Sequence, residues 1–249
     1  LEIRKILISQ PRPTSEKSPY YDLEKKFGVT FDFRPFIKVE SLTTTEFRQQ
    51  KIFIPDFSAF VFSSRTAVDH FFTLCNALRA PISEEWQYFC LSEAIALYLQ
   101  KYITYRKRKV HFSKVGKLDD LALVMKKHNT ERFLMPVADV HKEDLSVFTK
   151  AKVTLTTAVM YRTVSAEFTP EEINGYDMLV FFSPAGIHSL FVNYPGYEQG
   201  DMKIGCFGPA TAQAVENAHL RLDCKAPTEA FPSMTAALQD FLQKELKGE

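Results

Sequence analysis

No stretch of this chain approaches the roughly 18 consecutive apolar residues of a membrane helix, so no membrane span is expected. Neither a Walker P-loop nor a GxGxxG motif is present, which argues against a nucleotide ligand. Charge of one sign is lacking too. The 31 Lys and Arg against 30 Asp and Glu leave a formal +1, a balance that argues against a broad nucleic-acid footprint or a polybasic membrane surface. Cysteine is scarce: Cys75, Cys90, Cys206 and Cys224 form no CxxC pair and no zinc spacing, so buried, reduced thiols are expected. The apolar core of a signal peptide is missing as well. "LEIRKILISQPRP" has only a short apolar run after Arg4 and Lys5 and reads as a strand. These absences together predict a cytoplasmic protein.

What is present is a Phe-rich globular composition, with 22 Phe, 45% hydrophobic and 24% charged residues in 249. That length allows one large or two small domains with real cores. Short apolar runs alternate with amphipathic helical patterns: "KILIS", then "YYDLEKKFG" closed by Gly28; "AFVFSS" before Val68, Phe71 and Phe72; "QYFCLSEAIALYLQKY"; "RFLMPVAD"; "DMLVFFSPAGIHSLF"; "KIGCFGPATAQAV". The pattern predicts an α/β fold with parallel sheets covered on both faces. The segment 29–41, "VTFDFRPFIKVES", reads as extended, a strand over 29–36 running into a crossing through "FIKVES".

Part of this pattern is said twice. "VFSSRTAVDHFF" aligns with "VFFSPAGIHSLF", Val61 on Val180, Ser64 on Ser183 and Phe72 on Phe191. "QYFCLSEAIA" aligns with "KIGCFGPATA", Cys90 on Cys206, and "KILIS" with "RFLMP" more weakly. Two similar α/β units follow. Strand order further suggests that the first strands join the last third of the chain. The predicted domains are therefore 1–36 with 167–249, and 52–158, linked by 37–51 and 159–166, with a ligand cleft beside the two crossings.

The repeated turns put small or hydroxylated residues where a strand's carboxyl end meets a helix start. Ser64 or Thr66, and Ser183, suit helix caps, Pro184 the first helical turn, and Ala185 and Gly186 close approach by another molecule. With a third start at Gly208, Pro209 and Thr211 and a fourth at Thr228 and Ser233, these turns offer amide-rich helix starts to an anionic ligand bearing several carboxylates or phosphates. Ordinary capping is the plain alternative for each turn taken singly. Other chemistry is thin. "DVHKED" (139–144) has one His without a partner at ligand spacing, and "KYITYRKRK" (101–109) is a basic run in a neutral chain. Tyr161, in "VMYRTVS", falls on a predicted crossing beside Arg162 and Thr163, where its hydroxyl could reach the cleft or simply pack.

Taken in order, "FVFSSRTAVDHFF", "VMYRTVS", "LVFFSPAGIHSLF", "IGCFGPATAQAV" and "APTEAFPSMTAAL" resemble the uroporphyrinogen-III synthase family over nearly the whole chain. The resemblance implies two flavodoxin-like parallel-sheet α/β domains joined by a two-stranded β-ladder hinge. It also implies a reaction: cyclisation of the linear tetrapyrrole hydroxymethylbilane, with inversion of the last pyrrole ring and loss of water, without metal or cofactor. The family's tyrosine falls on Tyr161, implied as general acid; a phenol, which titrates near 10, stays protonated at neutral pH. Substrate contacts are implied for Arg12, Ser63, Ser64, Arg65, Ser183, Pro184, Ala185, Gly186, Gly208, Pro209 and Thr211. Two positions depart from the family pattern. Ser92-Glu93-Ala94-Ile95-Ala96 stands where members often show Gly-x-x-Thr-Ala, and the arginine after the first strand is displaced to Arg12.

Two other readings stay open on the sequence. A non-catalytic two-domain module could bind a tetrapyrrole or another polyanion, and would not need Tyr161. An RNA-binding protein using Arg106, Lys107, Arg108 and Lys109 would show steep salt dependence. The expected partner is the small-molecule substrate, with no nucleic acid and no membrane, and a monomer is expected.

Overall fold

The computed structural model describes residues 3–141 and 144–247. In chain order the elements begin with β1 (Lys5–Ile8), α1 (Pro19–Phe27), β2 (Thr30–Phe33), β3 (Ile37–Ser41) and α2 (Thr44–Gln49). Then come β4 (Ala59–Phe62), α3 (Arg65–Leu78), β5 (Gln87–Cys90), α4 (Glu93–Tyr98), β6 (Val110–Phe112) and α5 (Leu118–Lys126). They continue with β7 (Phe133–Ala138), α6 (Ser146–Lys150), β8 (Leu155–Ser165), β9 (Met178–Phe181) and α7 (Pro184–Asn193). The last are β10 (Lys203–Phe207), α8 (Pro209–Asn217), β11 (Cys224–Ala226) and α9 (Met234–Lys247). Among the described residues no helix is long and apolar enough to cross a membrane.

The chain divides into two compact units, Leu1–Lys38 with Val164–Glu249, and Val39–Thr163. Unit 1 holds a five-stranded sheet in the order β11-β10-β9-β1-β2, every pair parallel. Unit 2 holds β3-β8-β7-β4-β5-β6, parallel from β8 to β6. Only β3 runs the other way. Leu42 N–H donates to Met160 O and Ala166 N–H to Phe36 O, both at 2.9 Å, so the numbering of the two strands runs in opposite senses. The chain passes between units inside β3 and β8, which are neighbours in that sheet. The stretch 29–41 thus holds two strands, β2 in the first sheet and β3 in the second. After Phe33, Pro35 supplies no N–H to continue a ladder, and the chain leaves the first sheet for the second.

The strands are apolar on both faces because helices cover both. β4 and β9 are buried at every position. In unit 2, Phe60, Phe62 and Phe71 pack with Val68, Cys75 and Trp86 on one face, while Phe89, Met135 and Phe148 pack with Leu121 and Met125 on the other. Unit 1 repeats the plan, with Ile6, Ile8, Phe31, Met178 and Val180 against α1 and α9, and Leu7, Leu179, Phe181 and Ile204 against α7 and α8. Each fully buried Phe contributes about 1.5–3 kcal/mol by leaving water.

The doubled phrase in the sequence has a structural counterpart. Val61 and Val180 hold the third positions of β4 and β9. Phe62 pairs with Cys90 as Phe181 pairs with Cys206. Read from β11 to β2 and from β6 to β8, the two parallel sheets match strand for strand, β9-β10-β11 on β4-β5-β6 and β1-β2 on β7-β8. In unit 1 the last two come first in the chain; in unit 2 they come last. The units are cyclic permutations of one arrangement.

Candidate active site

Parallel strands put all their carboxyl ends on one edge, and the place where successive connections diverge opens a crevice there. In unit 1 that switch point lies between β1 and β9. It brings Ser9, just after β1, beside the turn Ser183-Pro184-Ala185-Gly186 after β9, while Arg12 lies towards β2 on the other side of β1. Ser183 is extended (φ −154°, ψ 154°) and its Oγ accepts the Gly186 N–H at 3.2 Å, with Pro184 opening α7. Gly186 packs tightly: a methyl group there would meet the Phe181 ring at 3.4 Å and Ser9 Oγ at 3.9 Å. Arg12 is exposed, its guanidinium 5.5 Å from the centre of the Phe33 ring.

The turn after β10 is built differently. Gly208 sits at φ +95° and ψ 147°, a region open to glycine alone, and no side chain caps α8 behind it. Its own N–H is spent on Ala226 O at 2.7 Å. Among the described residues, the next amides, of Ala210 and Thr211, have no acceptor. Thr211 is buried at 2% exposure. The amides of Gly186 and Gly208 themselves are satisfied internally, and the vacant amides of this turn are two and three residues past Gly208. At the start of α9, Ser233 Oγ accepts the Ala236 N–H at 3.2 Å.

A cleft of about 450 Å³ lies along this edge, lined by Gln10, Tyr20, Phe182, Phe207 and the segment Pro232–Thr235. Phe182 and Phe207 stack at 6.1 Å. Tyr20 rests edge-on against Phe31 and Phe33, and burial pushes its phenol up to about 12. Aromatic walls beside vacant amides suit a ligand of flat rings with anionic side arms. Sequence reasoning reached the polar turns and missed these aromatic walls, Tyr20, Phe182 and Phe207, which come from three separate segments.

In unit 2 the switch point lies between β4 and β7. Ser63, Ser64 and Arg65 follow β4. Ser64 Oγ accepts the Ala67 N–H at 3.0 Å and starts α3, and the exposed Arg65 guanidinium lies 5.3 Å from the centre of the Tyr98 ring. Ser92 caps α4 through the Ile95 N–H at 3.4 Å. Tyr161 is opposite Ala138, the last residue of β7, just past a register shift, so it stands level with the carboxyl edge. Its ring stacks on His70 of α3 at 5.0 Å and 17°. His70 Nδ1 is 2.5 Å from Ser41 Oγ, and burial, partly opposed by Asp69, holds the imidazole below its ordinary value. It is therefore neutral at pH 7. Arg162 is held between Glu40 (3.0 Å) and Glu46 (2.7 Å). His70 was passed over in the sequence because its neighbours on the helix, Phe71 and Phe72, made it look like part of an apolar face.

The remaining candidates are quieter. Three cations of the run 101–109 are paired, Lys101 with Asp69, Arg106 with Glu84 and Lys109 with Glu85. In "DVHKED", His141 Nδ1 lies 3.3 Å from Ala138 O, and 142–143 fall outside the described residues. Among the described residues no group of three His, Cys, Asp or Glu could hold a metal ion.

Comparison with known proteins decides the family. A family model described as uroporphyrinogen-III synthase HemD matches residues 20–236. The chain belongs to the uroporphyrinogen-III synthase family. No curated protein matches it significantly. A crystal structure of uroporphyrinogen-III synthetase from Helicobacter pylori 26695 shares the fold at a TM-score of 0.56 and 16% identity, covering 97% of this chain and 99% of that one. A mutant uroporphyrinogen III synthase from the extremely thermophilic bacterium Thermus thermophilus aligns at 0.45 and 15%, covering 99% and 100%. As a member of this family the chain is a cyclising lyase of porphyrin biosynthesis acting on a small molecule.

Proposed function

We propose that this chain closes hydroxymethylbilane to uroporphyrinogen III with Tyr161 as the general acid. The phenol donates its proton to the departing hydroxyl while the pyrrole nitrogen pushes electrons toward an azafulvene, and water leaves. The substituted carbon of the terminal ring attacks the azafulvene methylene; in the spiro intermediate its older bond to the neighbouring methylene breaks, and that methylene is captured by the ring's free α-carbon, whose proton returns to the phenolate. The stack on neutral His70 supports this role by fixing the tyrosine ring without adding a second charge.

The eight carboxylates of the substrate are held by Arg12, Ser63, Ser64 and Arg65, and by the turns Ser183-Pro184-Ala185-Gly186 and Gly208-Pro209 with Thr211. The single observation that carries this binding mode is the uncapped start of α8, where Gly208 allows close approach and two amides lack acceptors. In the same proposal the domains are 1–36 with 167–249 and 52–158, the linkers 37–51 and 159–166, and the enzyme a cytoplasmic monomer needing neither metal nor cofactor.

The test is a coupled assay: hydroxymethylbilane is generated enzymatically, the protein added, the product oxidised, and the type-I and type-III uroporphyrins separated. Type III should predominate. Type I alone, from folded protein, would overturn the catalytic reading and leave a polyanion-binding module.

A further inference from the structure

We propose that unit 2 carries a second ligand site, at the amino-terminal edge of its sheet, which takes a small planar aromatic carboxylate. The cavity there has a volume of about 260 Å³ and is lined by Trp86, Tyr88, Tyr102, Arg106 and Lys109 among others. Trp86 immediately precedes β5, and Lys109 immediately precedes β6, its carbonyl accepting the Tyr88 N–H at 2.8 Å. The serine-capped turns follow β4 and β5, so the cavity lies at the opposite end of the same strands.

Two observations point to a ligand. The first is a pair of polar atoms. Trp86 and Tyr88 are only 5% and 3% exposed, yet neither the indole N–H nor the phenol hydroxyl bonds to any described residue. No buried side-chain nitrogen or oxygen among the described residues is left without a partner, so these two atoms keep some solvent access, and both side chains line the cavity. Burial raises the Tyr88 phenol, which therefore remains a donor. The rings are fixed, Trp86 against Phe60 at 4.4 Å and Tyr102 on Phe72 at 4.5 Å and 9°.

The second observation is the state of the cations. The Lys109 side chain is 14% exposed, and its Nζ rests on the Glu85 carboxylate at 2.8 Å and the Glu85 carbonyl at 3.1 Å. Arg106 reaches Glu84 at 2.8 Å. Both carboxylates are surface groups, 78% and 83% exposed, so water competes for them even where the cation, as at Lys109, is largely covered. They occupy the positions that a ligand carboxylate would take, and can swing into solvent to admit it. Flat aromatic walls, two open donors and two exchangeable cations select a ring with an acid on it. The small volume limits the ligand to about one ring, below the usual range for larger ligands.

Trp86 is the chain's sole tryptophan, so its emission reports on this cavity alone. Benzoate, benzamide and acetate are titrated separately into the full chain. Benzoate should change the emission saturably, with benzamide and acetate weaker by about tenfold or more. Lys109→Gln, or the more exposed Arg106→Gln, should weaken benzoate by about tenfold. Glu85→Gln, which removes the internal competitor from an exposed position, should tighten it severalfold. The proposal is overturned by the absence of saturable change, by benzamide binding as well as benzoate, by indifference to both cation variants, or by a Glu85→Gln protein that binds no more tightly.

Discussion

At the scale of the residue, Tyr161 and Gly208 carry the sharpest expectations. Tyr161→Phe keeps the ring and its stack on His70 and removes the proton donor. We expect kcat to fall about 10²-fold or more with type III still the main product, because holding the bent chain is separate positioning work. On the proposed mechanism His70 acts through Tyr161, on which its ring stacks. His70→Ala should lower kcat with little effect on KM, while His70→Phe, which restores a flat ring, should recover most of the loss. A substrate-holding role for His70 would instead raise KM. The two glycines should also separate. Gly208→Ala forces a side chain to φ +95° and should cost about 1–3 kcal/mol in urea unfolding. Gly186→Ala, meeting its nearest neighbour at 3.4 Å, should cost about 1 kcal/mol or less. The sequence marked both glycines as small residues at helix starts. It could not distinguish them, because backbone dihedrals at Gly208 depend on where Ala226 takes its amide hydrogen.

At the scale of the element, helix starts were legible because capping is local: a serine after an apolar run, three residues before the amide it accepts, needs no distant partner. Ser64, Ser92 and Ser183 cap as their spacing suggests. What sequence could not supply were contacts between elements, such as β8 carrying Tyr161 to α3. The start of α2 ties these levels together. Thr43 and Glu46 form a capping box, and Glu46 also takes the Arg162 guanidinium of β8. The Thr43 amide first, then Arg162, hold the Glu46 carboxyl down at about 2, against an ordinary 4.5. A lowered folded value means that this stabilisation is complete above about pH 4.5 and lost as pH falls toward 2. Glu46→Gln should therefore flatten the pH dependence of unfolding in that window and leave the slope above pH 5 unchanged, as measured by urea titration across pH.

At the scale of the whole molecule, the cyclic match between the two sheets explains why one chain repeats a phrase: each copy is the strand, turn and helix at the switch point of its own sheet. Every buried cluster draws on one unit alone, and the chain crosses only inside β3 and β8. Cores closed separately should unfold separately, so that two probes give non-coincident transitions. Trp86 reports unit 2. Cys206 and Cys224 report unit 1; both are buried, burial pushing their thiols up to about 11 and 12, so they should resist alkylation until that unit opens. We expect the urea midpoint from Trp86 emission to differ from the midpoint of Cys206 and Cys224 labelling read by mass spectrometry. The caps then act as independent handles. Ser64→Ala should lower only the Trp86 midpoint and Ser183→Ala only the thiol midpoint, each by about 1 kcal/mol. Coincident transitions that shift together in both variants would mean that β3 and β8 weld the two units into one cooperative body.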